Sequence, residues 1–173
     1  MTSPAQTDRP HSWLRTLALG RNPKVTFVRA IILAAVCIFG YKLSLLHIRV
    51  VGISMLPNYK DGSTHFVNKL VYLLHEPQRG DVVSIRLAGP HLMYLKRIIG
   101  LPGETVAFVN GRVLINDEVL DEPYEKLPCD WDRPPEKLDA NVFFVVGDNR
   151  SMPQELHTFG KVDRDRILGK TFR

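Results

Sequence analysis

The hydrophobic pattern divides this chain of 173 residues into an apolar N-terminal segment and a longer region of short apolar runs. Residues 30–41 (AIILAAVCIFGY) form an uncharged run of 12 residues, whereas a membrane-spanning helix needs about 20. Extending the run to 25–46 gives 22 residues, or roughly 33 Å of helix. The extension includes Arg29 and Lys42 near its ends, where long side chains can reach the headgroups. The pattern predicts one N-terminal transmembrane helix over 25–46.

Two other interpretations of this segment stay open. A basic region before a short apolar core is also typical of a cleaved signal peptide. Residues 41–46 (YKLSLL) contain no small-x-small cleavage site, which favours an uncleaved anchor. The third interpretation is a buried helix of a soluble domain.

Positive charge is concentrated around the start of the apolar segment. The net charge is +5, and residues 1–29 hold five basic residues against one acidic residue. The rest of the chain is nearly neutral, which does not indicate a nucleic-acid-binding surface. An excess of Lys and Arg on one side of a membrane helix marks the cytoplasmic side. We therefore expect a cytoplasmic tail at 1–24, an anchor at 25–46 and an extracytoplasmic domain at 47–173, with no nucleic-acid partner.

After residue 47 the pattern is typical of strands. The strand candidates are 47–51, Thr64–Asn68, 81–87, 91–99, Thr105–Val109, Arg112–Ile115, 141–146 and 167–172. Asn110-Gly111 predicts a type I′ hairpin turn. Residues 122–137 contain four prolines and mixed charges, which predicts a surface loop. The domain is predicted to be mainly β.

Cysteine and histidine predict no metal centre and no cofactor. Cys37 lies in the apolar segment and Cys129 in a distant polar stretch, so no disulfide is expected. The six histidines show no ligand-like spacing with each other or with cysteine.

A serine and a lysine are the candidate catalytic residues. Ser54 lies in a turn-prone sequence, GISMLP at 52–57, just after the apolar segment. Lys96 lies in the strand 91–99, where alternation places Leu92, Tyr94, Lys96 and Ile98 on one face. Burial there would lower the lysine pKa from about 10.4. A neutral lysine can deprotonate a serine hydroxyl, so the pair predicts a membrane-tethered serine hydrolase.

Each feature also has an ordinary structural explanation. Ser54 alone is typical of a turn, and Lys96 alone is typical of an edge strand that resists aggregation. Their combination, in this order and behind an anchor, favours catalysis.

The sequence resembles the type I signal peptidase family from about residue 50 to 170. Ser54-Met55-Leu56-Pro57 is similar to its nucleophile box, and YLKRIIGLPGE at 94–104 is similar to its general-base box. Further matches in the family order are RGDVV at 79–83, EPY at 122–124, FVVGDNR at 144–150, FG at 159–160 and ILGK at 167–170.

The resemblance implies an antiparallel β catalytic domain with an apolar surface that touches the membrane, behind one transmembrane helix. It implies a serine endopeptidase that removes signal sequences from exported preproteins with a Ser54–Lys96 dyad. The substrates would carry small side chains at the first and third positions before the cut. The location implied is the bacterial inner membrane, single-pass, with the catalytic domain outside.

The resemblance also implies supporting residues. Main-chain N–H groups near Ser54 would hold the oxyanion, and Gly52 stands where some relatives have a hydroxyl. Arg97 would pair with Asp148 and fasten the lysine strand to the 147–150 turn.

One region departs from the family. Relatives show Ser-x-Asp-Ser-Arg after this turn, and its first serine hydrogen-bonds the lysine. Here Pro153, Glu155 and His157 replace the serine, the aspartate and the arginine. We expect the Ser151 hydroxyl to orient Lys96, with Thr158, a water or a backbone carbonyl as alternatives, and we expect Glu155 and His157 to form an acid–base pair.

The departure keeps alternative functions open. One is a specialised peptidase of the same family that matures a conjugative pilin. Another is a non-catalytic membrane-anchored β-module. A self-cleaving repressor shares the Ser-Lys pair but needs a DNA-binding domain, and residues 1–50 carry a membrane segment instead.

Overall fold

A computed structural model describes residues 22–88, 92–124, 127, 129–157 and 160–172. The chain divides into two compact units, residues 1–43 and 44–173. Most of the predicted cytoplasmic tail lies outside the described residues.

The first unit contains all but the last residue of helix α1, Pro23–Ser44. Its stretch Lys24–Ser44 is exposed and is long and apolar enough to cross a membrane. The helix ends two residues before the predicted limit of 46, because Leu45 and Leu46 instead pair with Asn68 and Val67 in a sheet. Apolar character alone did not distinguish the helix end from this strand.

The second unit is built from two antiparallel sheets, which confirms the mainly β prediction. Its strands are β1 Leu45–Arg49, β2 Thr64–Asn68, β3 Val82–Ala88, β4 Leu92–Gly100, β5 Thr105–Val109, β6 Arg112–Ile115, β7 Glu118–Val119, β8 Arg133–Lys137, β9 Val142–Val146, β10 Gly160–Asp163 and β11 Ile167–Thr171. One sheet has the order β1-β2-β11-β3-β4-β9-β10, and the other has the order β7-β6-β5-β8. A short helix α2, Val71–Leu74, and two 3₁₀ turns, Gln154–Leu156 and Arg164–Arg166, complete the described elements.

The hairpin β5–β6 is confirmed with the bounds that the sequence predicted. Asn110 and Gly111 have φ angles of 47° and 76°. Two successive positive φ angles are those of a type I′ turn, whose twist matches the twist of the flanking strands.

The predicted surface loop at 122–137 is wrong over its last five residues. Arg133–Lys137 forms β8, which pairs with β5 at the edge of the smaller sheet. Pro134 and Pro135 are tolerated there because β8 is an edge strand and its register with β5 shifts between Val106 and Phe108, at the two prolines. Proline content was therefore a misleading loop signal.

The core joins the two sheets and fixes β4 and β9. Its members are Ile99, Val106, Phe108, Val113, Ile115, Trp131, Leu138, Phe144 and Val146. At Gly100 a Cβ atom would clash with the side chains of Val106 and Phe144, so glycine allows the sheets to approach closely. This packing holds in place the two strands on which the candidate site is built.

The hairpin turn provides a test of the fold. Gly111 donates its N–H to the Trp131 carbonyl over 2.9 Å, and a Cβ at Gly111 would overlap the main-chain oxygen of Cys129. Gly111→Ala should therefore reduce the free energy of unfolding by about 2–4 kcal/mol, since overlap adds to positive-φ strain.

Gly103→Ala is the matched control. Gly103 has a φ of 83°, but the space into which a Cβ atom would extend is open, so alanine should cost only about 1 kcal/mol. Both variants are compared with the parent by urea unfolding of the full chain in detergent. Equal losses for the two variants would contradict the close packing at Gly111.

Candidate active site

Ser54 lies in a loop that is closed at its base by hydrogen bonds. Val50 donates its N–H to the Ser63 carbonyl over 2.8 Å, and Gly62 donates to the Val50 carbonyl over 2.9 Å. Inside the loop, Tyr59 donates its N–H to the Met55 carbonyl over 2.9 Å, and both side chains are buried. These anchors hold the half-buried Ser54 in a defined position next to Met55.

The loop is attached to the turn that follows β9. Asn149 donates its main-chain N–H to the Ser54 carbonyl over 3.0 Å and its side-chain amide to the Ile53 carbonyl over 3.1 Å. A Cβ atom on Gly147 would clash with the Ser54 carbonyl. Only glycine at 147 permits this approach, so the main chain of Ser54 packs directly on the end of β9.

Lys96 lies on β4, opposite Val83 of β3, and shares a strand face with Tyr94 and Ile98. Its side chain is among the buried polar groups, with 3% exposure for the residue. The neighbouring residue Arg97 pairs with Val146 of β9, so the register carries Gly147 to the position beside Lys96. Ser54 and Lys96 therefore approach the same glycine.

The apolar surroundings change the protonation of Lys96. Burial lowers its pKa from the ordinary 10.5 to about 8, although the nearby charge of Asp148 acts in the opposite direction. A lysine with this pKa is partly neutral near pH 8, as a general base must be. The expected burial of Lys96 and the expected fall of its pKa are present.

Arg97 points away from the Lys96 face and forms the predicted ion pair with Asp148, which is confirmed. The guanidinium donates from Nε to Oδ1 over 2.7 Å and from Nη2 to Oδ2 over 2.6 Å. It also donates to the Gly80 carbonyl over 2.7 Å and stacks over the Tyr124 ring at 3.9 Å. Burial would lower the pKa of Arg97, but the bonds and charge of Asp148 outweigh burial and raise it. The pair fastens β4 to the 147–150 turn.

A second buried ion pair was missed from the sequence. Arg150 has 0% exposure and pairs with Glu122 over 2.6 Å, while its Nε donates to the Gly147 carbonyl over 2.8 Å. Both residues lie in segments that resemble the family, EPY at 122–124 and FVVGDNR at 144–150. No pattern in the sequence indicated that these two segments are in contact. The pair ties the 122–124 segment to the same turn.

Gly52 and Ser151 form hydrogen bonds with residues other than the expected partners at the site. The Gly52 N–H is bound to the Asp61 carboxylate over 2.9 Å. Ser151 is exposed, and its hydroxyl donates to the Asn149 side-chain oxygen over 2.7 Å. The structure thus assigns this hydroxyl to Asn149 rather than to Lys96. The alternative, Thr158, lies outside the described residues.

His157 is buried at the site, contrary to its expected pairing with the exposed Glu155. Its Nε2 accepts the Gly147 N–H over 2.9 Å, and its ring packs edge-on against Trp131 with centroids 4.8 Å apart. Burial, together with the charges of Lys96 and Arg150, lowers the pKa of His157 from 6.5 to about 3. The ring is neutral at physiological pH, so the expected acid–base pair was wrong.

Within the described residues, no cluster of three or more histidine, cysteine or acidic side chains is arranged to hold a metal ion. Cys37 is exposed, and the Cys129 thiol donates to the Gly111 carbonyl over 3.3 Å.

Comparison with known proteins identifies relatives of this chain. The family described as signal peptidase, peptidase S26, matches residues 24–173. Signal peptidase I of Leptolyngbya laminosa is 40% identical over 125 residues, covering 68% of this chain and 62% of that protein. Signal peptidase I of Bacillus licheniformis is 34% identical over 163 residues, covering 86% of this chain and 87% of that protein. This chain therefore spans less than two thirds of the Leptolyngbya protein and most of the Bacillus protein.

A solved structure of a signal peptidase I from Enterococcus faecalis is 26% identical, with a TM-score of 0.44. The match covers 56% of this chain and 97% of that one.

The Arg97–Asp148 pair leads to a stability prediction. Asp148→Asn should lower the free energy of unfolding by about 3–5 kcal/mol, because it leaves a buried guanidinium without its counter-charge. Urea unfolding of the full chain in detergent measures the change.

Glu136→Gln is the control, since Glu136 pairs with Arg133 over 2.7 Å and with Lys161 over 3.1 Å, but all three side chains are about 30–37% exposed. An exposed pair contributes about 1 kcal/mol or less. Similar losses for both variants would show that burial does not set the strength of the Arg97–Asp148 pair.

Proposed function

Since the chain belongs to the signal peptidase family, peptidase S26, we propose that it is a membrane-bound serine endopeptidase that removes N-terminal signal sequences from exported preproteins. The observation that carries the proposal is the convergence of Ser54 and Lys96 on Gly147.

In the proposed mechanism, Ser54 Oγ attacks the peptide carbonyl carbon while neutral Lys96 takes the hydroxyl proton. The tetrahedral intermediate collapses to an ester on Ser54, and Lys96 passes its proton to the departing amine. Lys96 then deprotonates a water molecule, which attacks the ester carbonyl, and passes that proton to the departing Ser54 Oγ. The pKa of Lys96 near 8 supports this role, because the neutral amine is available at modest cost.

The oxyanion needs N–H donors that point at the reacting carbonyl oxygen. The Gly52 N–H is already bound to Asp61, which argues against this group as a donor. We propose that the main-chain N–H of Ser54 itself contributes. Gly52 then supports the site through its φ angle of 98°, which turns the chain into the Ser54 loop.

The proposed substrates are preproteins with small side chains at the first and third positions before the cut. Beside Ser54 lies a buried apolar cluster of Val50, Met55, Tyr59 and Val82, with Leu95 packed against it. The close packing of these buried groups supports a site that leaves little room for a large side chain next to Ser54. The relatives named signal peptidase I support signal sequences of preproteins as the substrates.

The proposed location is the bacterial inner membrane, with α1 as the single anchor and the β-rich unit outside. Near the residue at which the chain leaves α1, Lys69 donates its N–H to the Ser44 carbonyl over 2.8 Å. The adjacent Leu73 and Leu74 are strongly exposed, at 76% and 82%. Exposed leucines of the β-rich unit support contact with the lipid bilayer as a second partner.

A specialised peptidase that matures a conjugative pilin is the second candidate. The observation that favours it is the departure from the family at Pro153, Glu155 and His157, which alters the surroundings of the lysine. Cleavage of a pilin precursor but not of general preproteins would select this candidate.

The dyad is tested by cleavage of a preprotein with the detergent-solubilised full chain. Ser54→Ala and Lys96→Arg should each lower the cleavage rate by about 10⁴-fold, because one variant lacks the nucleophile and the other holds a permanently protonated group. Ser151→Ala is the control and should stay within about threefold, since its hydroxyl is bound to Asn149.

Over pH, the rate of the parent enzyme should rise tenfold per unit up to about pH 8 and then level off, because only neutral Lys96 accepts a proton. Turnover by Ser54→Ala would remove the serine mechanism, and a flat profile from pH 6 to 9 would remove Lys96 as the base. Inactivity of the parent with every preprotein would favour the non-catalytic β-module.

The topology is tested in spheroplasts that carry the protein with an N-terminal tag. The basic residues of 1–29 predict that the tag stays inside. Added protease should digest the β-rich domain and spare the tag. Protection of the domain with loss of the tag would invert the orientation.

A further inference from the structure

His157 is a buried polar side chain at the candidate site that has no part in the proposed chemistry. It is 4% exposed, and its imidazole contacts the Trp131 ring edge-on. Its Nε2 accepts the main-chain N–H of Gly147 over 2.9 Å. The side chain therefore binds the residue on which Ser54 and Lys96 converge.

The bond requires a neutral ring. An imidazolium carries a proton on both nitrogens and cannot accept a hydrogen bond, so Nε2 accepts only when the single proton is on Nδ1. Two cations face the ring, Lys96 from β4 and Arg150 from the turn after β9, and both oppose its protonation. Arg150 is itself neutralised by Glu122, and Asp148 lies between Gly147 and Asn149 in the same turn. The acceptor is thus retained over the pH range in which Lys96 titrates.

Gly147 links the His157 ring both to the Ser54 loop and to the Lys96 strand. A Cβ at Gly147 would clash both with the Ser54 carbonyl and with the His157 ring, so the three groups are in close packing. The strand register places the same glycine beside Lys96. A bond that fixes Gly147 therefore fixes the separation between the serine loop and the lysine strand.

We propose that His157 is a positioning residue of the Ser54–Lys96 dyad, which holds Gly147 through Nε2 and keeps water away from the lysine. The inference rests on the proposed function for its effect on catalysis. Its structural part, the control of the Lys96 environment by His157, does not depend on the activity.

A pair of amide variants tests the proposal in the full chain in detergent. The carbonyl oxygen of glutamine reaches the position of Nε2, whereas that of the shorter asparagine reaches the position of Nδ1. Both side chains are polar and uncharged at every pH, so the position of the acceptor is their main difference. His157→Gln should keep kcat within about threefold of the parent. His157→Asn should lower kcat by about 10- to 100-fold with KM within about twofold, because a misplaced dyad loses rate rather than binding. Glu155→Gln, an exposed change in the same turn, should leave both constants unchanged.

The second readout follows Lys96 itself. The protein is labelled with ¹³C at the lysine Cε, and the Lys96 signal is assigned by its loss in Lys96→Arg. The midpoint of titration should lie near 8 in the parent and in His157→Gln. It should rise toward 10.5 in His157→Asn, since water that reaches the amine restores its ordinary pKa.

The proposal is overturned if the two amide variants behave alike, or if His157→Asn loses activity without any change in the Lys96 titration. The second result would mean that His157 stabilises the fold only. If the parent cleaves no preprotein while the titration still differs between the variants, the proposed function fails and the positioning role stands.

Discussion

The close approach of the main chain at Gly147 is the constraint on which the rest of the site depends. The Ser54 carbonyl and the His157 ring occupy the space into which any side chain at 147 would extend. The Asn149 N–H then binds the Ser54 carbonyl, and the Arg150 guanidinium binds the Gly147 carbonyl. The serine loop, the lysine strand and the 3₁₀ turn at Gln154–Leu156 are distant in sequence, yet all are held against one residue without a side chain.

Two adjacent residues of β4 show how a strand supports opposite electrostatic states. Lys96 is buried, and burial lowers its pKa so that it loses part of its charge. Arg97, on the other face, keeps its charge because a buried carboxylate receives two of its N–H groups. Strand alternation separates the two environments over a distance of one residue. The Arg97–Asp148 pair holds the strand in place. Lys96 therefore does not need its charge to hold the strand and can change its protonation.

The parts of this arrangement that depend on interactions between residues close in sequence could be predicted from the sequence. Hairpin β5–β6 follows from Asn110-Gly111, and the setting of Lys96 follows from alternation in an apolar strand. The Arg97–Asp148 pair was reached through resemblance to a family. The Arg150–Glu122 pair could not be predicted, because no local pattern indicates which distant charges meet in a core. His157 was misassigned for a related reason: its protonation depends on burial, which a single sequence does not reveal.

The two prolines of β8 affect how readily an extended polypeptide can pair with the open edge of the smaller sheet. Pro134 and Pro135 lie in an outer strand of the smaller sheet, and neither residue has an N–H to donate. An open sheet edge with a full set of donors recruits any unfolded polypeptide that passes, including another copy of the same protein. Under the proposed function, the protein would meet such polypeptides whenever a newly exported chain is still unfolded. The prolines make this border a poor template, so that adventitious strand addition is discouraged where no chemistry takes place.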